Sequence, residues 1–304
     1  MAVLFTSTAE RGVIFSERFA QAMPDLPFYI GTAPDPALVE YLIAWTAPDN
    51  LAEAYPNLKM IFSVGAGVDQ FNFDILPSQI GIVRMLEPGI REQMREYTTL
   101  AVLGLHRDLP LYIAQQRGRV WKQALNVPAS ERRVGVMGLG QLGQTALDML
   151  KPFGFELAGW SRTPKALPGV EVFTDRTAFL ARTDILICLL PLTSATEGIL
   201  NAELFRELPA GAALIHAGRG KQLDGDALLS ALDAGHLSAA WLDVTDPEPL
   251  PESSGLWQHP SVVITPHVAC QTRARDGADH VIAGIRAHRA GDRILGLVSR
   301  EKGY

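Results

Sequence analysis

No stretch of the 304-residue chain is apolar for the roughly 18 residues that a membrane-spanning helix requires. The opening residues Met1–Thr8 hold only the short apolar run Ala2–Phe5, without the basic head and longer apolar segment of a secretory leader. Cysteine is scarce: Cys188 and Cys270 are the only two, so no disulfide framework is expected and a reducing compartment is. Cys188 lies in an apolar run and reads as a buried thiol. Lys and Arg never run beyond a pair, and 27 basic against 33 acidic residues give a net charge of −6. Nucleic acid and anionic membrane surfaces are therefore not expected as partners. His106, His236, His259, His280 and His288 show no metal-ligand spacing, and no metal site is expected. These absences together point to a cytoplasmic protein.

What is present is a large supply of core. Hydrophobic residues make up 47% and charged residues 20% of the chain, an ordinary globular balance. At about 150 residues per domain, the length suggests two domains. Short apolar runs alternate with longer amphipathic stretches, the pattern of βα units and a parallel sheet. In the first third, Val3–Phe5, Tyr41–Trp45, Lys59–Ser63 and Ile82–Met85 read as strands and Glu10–Ala22 as a helix. From Arg91 to about Gln116 a helical face is set by Met94, Tyr97, Leu100, Ala101, Leu103 and Leu105. Arg117–Ser130 reads as a polar connection. A second set of strands then begins at Arg133, with apolar runs at Val134–Met137, Leu157–Trp160, Ile185–Leu190, Ala212–Ala217, Ala239–Val244 and Val262–Thr265. From about Arg273 the pattern is helical again. The expected architecture is α/β with two doubly wound parallel-sheet domains. A continuous domain, 98–279, is inserted into a discontinuous one made of 1–97 and 280–304.

The run Val134–Gly143 fits a strand, a tight turn and a helix start. Gly138 allows the turn, Gly140 lets backbone approach a pyrophosphate, and Gly143 lets the helix pack close to the strand. With 27 glycines in 304 residues such a pattern arises by chance about 0.2 times per chain, so context decides. Here an apolar run precedes it, a helical stretch follows, and a second strand ends about 20 residues on, as a dinucleotide-binding unit requires. Enzymes that use NAD place an acid at that second strand end for the ribose 2′-hydroxyl. This chain has Trp160-Ser161-Arg162-Thr163-Pro164-Lys165 instead. An acid would repel a 2′-phosphate, whereas Arg162 can form charge-assisted hydrogen bonds to one. NADPH is the expected cofactor, with NADH possible but weaker.

Three polar groups lie at the ends of late strands, where ligands bind in open α/β sheets. Arg219 follows Ala213–Ala217, Glu248 follows Ala239–Val244, and His267 follows Val262–Thr265. Reducing a 2-oxo acid adds a hydride at C2 and a proton at the oxygen. A permanently charged Arg can hold the carboxylate and polarise the carbonyl, a His can donate the proton, and a carboxylate can orient the imidazole. Each residue alone has a plain structural alternative: a loop cation, a solvated acid, a hydrogen-bonding His.

Gly138–Gly143, Ala217-Gly218-Arg219-Gly220, Leu242-Asp243-Val244 through Glu248-Pro249-Leu250, and Thr265-Pro266-His267 resemble the ordered signatures of the D-2-hydroxyacid dehydrogenases. The resemblance implies Arg219, Glu248 and His267 as catalytic residues. It implies Gly138, Leu139, Gly140, Gln141, Leu142, Gly143, Ser161, Arg162, Lys165, Pro191, Ala217, Gly218 and Asp243 as cofactor contacts. Gly65-Ala66-Gly67-Val68-Asp69 is similar to the family's carboxylate-binding loop, a turn that can form an anion nest. Gly65, Ala66 and Gly67 are thus expected at the substrate together with Arg219 and His267. Trp45 either joins them or is an ordinary core Trp. Glu92–Tyr97, Trp160–Thr163, Leu256–Pro260 and Gly303-Tyr304 resemble the glyoxylate/hydroxypyruvate reductase branch. That branch implies a preference for NADPH and small 2-oxo acids, and the family a homodimer built on the cofactor domain. Whatever lies beyond C2 of the substrate would then fit among residues such as Trp45, Met94 and Trp257, whose bulk favours a small group. His216 stands where many relatives carry Asn, and Asp246 lies close enough to Glu248 to compete for the role of the acid. Two alternatives stay open: another 2-oxo acid substrate, or a dinucleotide-sensing binding protein on the same scaffold.

Overall fold

A computed structural model describes residues 1–48, 50–73 and 75–300. Gly303 and Tyr304, which contribute to the branch resemblance, lie outside the described residues. The chain divides into two compact units, one made of 1–90 with 271–304 and the other of 91–270.

The first unit holds a five-stranded parallel sheet. Its strands are β1 (Ala2–Thr6), β2 (Phe28–Ile30), β3 (Val39–Ala44), β4 (Met60–Ser63) and β5 (Gly81–Val83), in the order β2-β1-β3-β4-β5. This is the flavodoxin-like order, with the switch between β1 and β3. Apolar side chains of β1 and β3 are buried throughout, as expected of strands covered on both faces. β2 has no counterpart in the sequence reading. It is a three-residue edge strand, apolar but half-exposed, and too short to stand out as a run. The helix Ala274–Ala290 belongs wholly to this unit. Asp279 accepts from Arg18 of the helix Ala9–Ala22, and buried Val281, Ile282 and Ile285 lie on its inner face. Residues 271–279, expected in the inserted domain, therefore lie with the first unit, and residues 91–97, expected with the first, lie with the second at the start of the helix Pro88–His106.

The second unit holds seven parallel strands: β6 (Arg133–Met137), β7 (Glu156–Trp160), β8 (Glu171–Phe173), β9 (Ile185–Cys188), β10 (Ala212–His216), β11 (Leu237–Leu242) and β12 (Val262–Ile264). Their order, β12-β11-β10-β9-β6-β7-β8, is that of a Rossmann domain, with the topological switch between β6 and β9. Alternate residues feed two cores. Val136, Ile187, Ile215 and Trp241 pack on one side; Met137, Cys188, Leu214 and Leu242 pack on the other. Burial pushes the Cys188 thiol up to about 12, which leaves it inert.

The long helix expected from Arg91 to Gln116 is two helices, Pro88–His106 and Leu109–Arg117. They are broken at Asp108, whose φ of 55° is left-handed, ahead of Pro110, which cannot continue a helix from within. Leu100, assigned by periodicity to the apolar face, is exposed, whereas Met94, Tyr97, Ala101 and Leu105 are buried. No helix among the described residues is long and apolar enough to cross a membrane.

Candidate active site

The Gly-rich turn sits at the switch point of the seven-stranded sheet. Gly138 ends β6 with a φ of +105°, and a Cβ there would lie 2.7 Å from the Leu189 carbonyl oxygen of the loop after β9. Only glycine satisfies both conditions. Gly143 packs so closely on the Gly138 carbonyl that a side chain is excluded. Around Gly140, by contrast, a Cβ would meet nothing within 4 Å. This open position precedes the helix Gln141–Leu150, whose first N–H groups lack intrahelical partners. An anionic pyrophosphate fits such a cradle. Gln144 Nε2 and Lys165 Nζ both donate to the Leu139 carbonyl, at 3.0 and 2.6 Å, so the Lys165 ammonium is pinned to the turn. At the end of β7, Ser161 is buried and its hydroxyl donates to the Thr163 carbonyl, which leaves its oxygen as an acceptor only. Arg162 is exposed beside it.

Arg219 is held at both backbone groups. His216, at the carboxyl end of β10 between Cys188 and Leu242 in register, directs Nε2 to the Arg219 carbonyl at 2.9 Å. A carbonyl only accepts, so Nε2 carries the proton. Burial pushes His216 down to about 4, so the ring is neutral near pH 7. The fully buried Gln222 accepts from the Arg219 N–H through Oε1 at 2.9 Å. Its Nε2 donates to the Leu190 and Pro191 carbonyls at 3.2 and 3.1 Å. Gln222 thus ties the Arg219 loop to the wall of the cofactor cradle. The sequence reading missed it; the only signal was an amide three residues after the Arg. Gly218 and Gly220 have no room for a side chain, the latter because it packs on the Thr245 carbonyl. That contact brings the Arg219 loop against the segment carrying Glu248.

Glu248 Oε2 accepts from His267 Nδ1 at 2.8 Å, and Oε1 accepts from the Thr245 N–H at 3.1 Å. It is Glu248, rather than Asp246, that reaches the imidazole. With Nδ1 occupied, Nε2 is the nitrogen left to face a ligand. His267 has a φ of 53°, a left-handed conformation that a non-glycine residue keeps only when its surroundings fix it. Asp243 provides much of that fixing. Its Oδ1 accepts from Thr265 Oγ1 and the Val268 N–H, its Oδ2 from the Ala269 N–H, and its carbonyl from the His267 N–H. Expected as a cofactor contact, Asp243 spends most of its acceptor capacity on the His267 loop.

In the first unit, β4 runs into Gly65-Ala66-Gly67. Ser63 Oγ donates to the Gly67 carbonyl and accepts from the Gly65 N–H and Gln70 Nε2. The Gly65 amide is therefore turned inward, and the Ala66 and Gly67 amides lie outside this internal network. Trp45 is 43% exposed and its indole lies over Gly65, where a Cβ would come within 2.9 Å of Cζ3. It is not a core Trp. Met94 is 2% exposed in the core of the second unit with Tyr97 and Ala101, so it is a packing residue. Trp257 is half-exposed, with Nε1 donating to the Pro251 carbonyl. The remaining histidines have structural roles. His106 packs edge-on against Phe155, and His236, His259, His280 and His288 pair with Phe205, Asp233, Arg84 and Tyr41. Among the described residues no three His, Cys, Asp or Glu side chains converge.

Comparison with known proteins gives a consistent picture. Residues 99–269 match the family model of the D-isomer specific 2-hydroxyacid dehydrogenase, NAD binding domain. A D-isomer specific 2-hydroxyacid dehydrogenase of Xanthobacter autotrophicus Py2, solved with NADPH and MES, is 37% identical over 100% of this chain and 99% of its own, with a TM-score of 0.92. A probable 2-hydroxyacid dehydrogenase of Rhizobium etli CFN 42, solved with NADP, HEPES and L(+)-tartaric acid, is 36% identical over 100% and 99%, TM-score 0.91. The NADPH-dependent glyoxylate/hydroxypyruvate reductase of Sinorhizobium meliloti, solved with NADP and sulfate, is 32% identical over 100% of both chains, TM-score 0.91.

Proposed function

The chain belongs to the D-isomer specific 2-hydroxyacid dehydrogenases, and from that premise we propose that it reduces small 2-oxo acids with NADPH, glyoxylate to glycolate and hydroxypyruvate to D-glycerate. The observation that carries this reading is the Glu248–His267 pair at 2.8 Å, in a Rossmann unit whose β7 ends in Ser161, Arg162 and Lys165 rather than an acid. The cradle of Gly138, Gly140 and Gly143 holds the pyrophosphate. Arg162 supplies a cation for a 2′-phosphate, and Lys165, held at the Leu139 carbonyl, one for the phosphate turn. When bound, the reduced nicotinamide supplies the hydride. Arg219 holds the substrate carboxylate and polarises the carbonyl. His267 Nε2 delivers the proton to the developing alkoxide, and Glu248 fixes the ring that does so.

Small substrates are favoured by the indole of Trp45 over the Gly65 loop and by the glyoxylate/hydroxypyruvate reductase of Sinorhizobium meliloti among the similar structures. The test is kcat/KM over a panel of 2-oxo acids with both cofactors. Glyoxylate and hydroxypyruvate with NADPH should lead; a lead for phenylpyruvate or 2-oxoisocaproate would sink the small-substrate assignment. The functional unit is a homodimer. Val120, Trp121 and Leu125 are 52%, 99% and 88% exposed on the connection after the Leu109–Arg117 helix, an apolar strip that a second copy would cover.

A further inference from the structure

We propose that Tyr97 is a positioning residue for His267, acting through Thr265 and the Asp243 carboxylate; the inference rests on the assignment of His267 as proton donor. Tyr97 lies on the helix Pro88–His106, within the Glu92–Tyr97 stretch to which the mechanism gives no task. Its ring is buried in one core cluster with Trp241 and Ala269. Its hydroxyl is 2.6 Å from Thr265 Oγ1, and Thr265 Oγ1 is 2.7 Å from Asp243 Oδ1.

The direction of this chain follows from donor counting. An ionised carboxylate only accepts, so the single Thr265 proton goes to Asp243. Tyr97 must then be the donor to Thr265. The order is Tyr97 O–H to Thr265 O–H to Asp243, and every member is satisfied. Asp243 also takes the N–H groups of Val268 and Ala269, and its carbonyl takes that of His267. The segment 265–269 is therefore gripped from one carboxylate, and Tyr97 anchors that grip to a helix. The left-handed backbone of His267 makes the grip consequential. Such a conformation relaxes when its supports weaken. Relaxation would rotate the imidazole away from Glu248 and from the alkoxide it must protonate.

The test is a double-mutant cycle in the full-length protein. Tyr97→Phe removes the hydroxyl and keeps the ring; Thr265→Val keeps the shape of Thr265 and breaks the relay. Each should lower kcat for glyoxylate about tenfold, the scale of one lost hydrogen bond to a charged network, without changing the KM for NADPH. In a His267→Ala background the same substitutions should cost less than about twofold, since a residue acting through His267 has nothing left to position. Thr265→Ser, which keeps the hydroxyl, should recover most of the rate lost in Thr265→Val. Amide hydrogen exchange of residues 267–269 in Tyr97→Phe should rise about tenfold, a readout independent of substrate. Unchanged exchange, or equal fold losses in both backgrounds, would overturn the proposal. No turnover of any small 2-oxo acid by the wild type would instead overturn the functional reading and leave the exchange result to decide the role of Tyr97.

Discussion

His216 and Arg219 are joined through the backbone: the buried imidazole donates to the carbonyl of the very residue whose guanidinium is to hold the substrate, at 2.9 Å. The side chain is fully buried, and among the described residues its Nδ1 has no partner. The ring is thus kept neutral inside the fold.

A pH dependence of stability follows. The unfolded His216 titrates near 6.5 and the folded one near 4. Between these values the unfolded chain binds the extra proton, so stability is fully present above about 6.5 and is lost as pH falls toward 4. From about pH 7.5 to about pH 5 this one group should cost roughly 2 kcal/mol. His106, His280 and His288 are lowered by burial too and act in the same direction. Urea unfolding of the wild type and His216→Asn at both pH values isolates the contribution. The variant should show the shallower loss; parallel losses would mean that His216 does not carry it.

Cofactor choice should separate two neighbouring cations. Arg162→Asp should weaken NADPH binding by about 10- to 100-fold and leave NADH much less affected, the scale expected for a charge-assisted hydrogen bond. Lys165→Met should weaken both cofactors, because its ammonium is bound to the Leu139 carbonyl of the phosphate turn. Fluorescence titration of each cofactor distinguishes the two. Equal losses for both cofactors in Arg162→Asp would show that it does not read the 2′-phosphate.

The proton donor and its partner should differ in rank. His267→Ala should lower kcat by about 10²–10⁴-fold. Glu248→Gln keeps an oxygen to accept from Nδ1 and should retain more activity than Glu248→Ala. Arg219→Ala should damage both KM and kcat, since one guanidinium serves carboxylate and alkoxide. Near-wild-type turnover in His267→Ala would require another donor.

Gly65→Ala tests the proposed carboxylate-binding loop. A methyl group 2.9 Å from the Trp45 ring must displace the indole. The KM for glyoxylate should rise roughly tenfold, with the KM for NADPH unchanged. A shift in both would place the damage in the fold rather than at the substrate.

Much of the second unit was legible in the sequence because both faces of its sheet are covered. β6, β9, β10 and β11 therefore read as unbroken apolar runs, and the Gly138 turn falls between a run and a helix. The three-residue edge strands β2 and β8 could not be read, since three partly exposed residues are too few to stand out as an apolar run. The break at Asp108 was hidden by apolar periodicity that continues through it. Glu248 and His267 were visible as strand-end residues. Gln222 and Tyr97 were not, because their partners are backbone carbonyls or a hydroxyl far away in sequence. Met94, whose bulk the sequence offered as one possible wall for the substrate, is turned by its helix into the core.

The helix Ala274–Ala290 has a further consequence for how the molecule is made. It supplies buried Val281, Ile282 and Ile285 to a unit that starts at Met1, while the other unit is contiguous from 91 to 270. On a ribosome, at about 5–20 residues per second, the later-starting unit has its whole chain first. The other unit waits, its sheet lacking one covering helix, until residues 274–290 have been made. The nascent chain is most exposed to misassembly in that interval, and apolar β1 and β3 are the surfaces that a chaperone would have to shield.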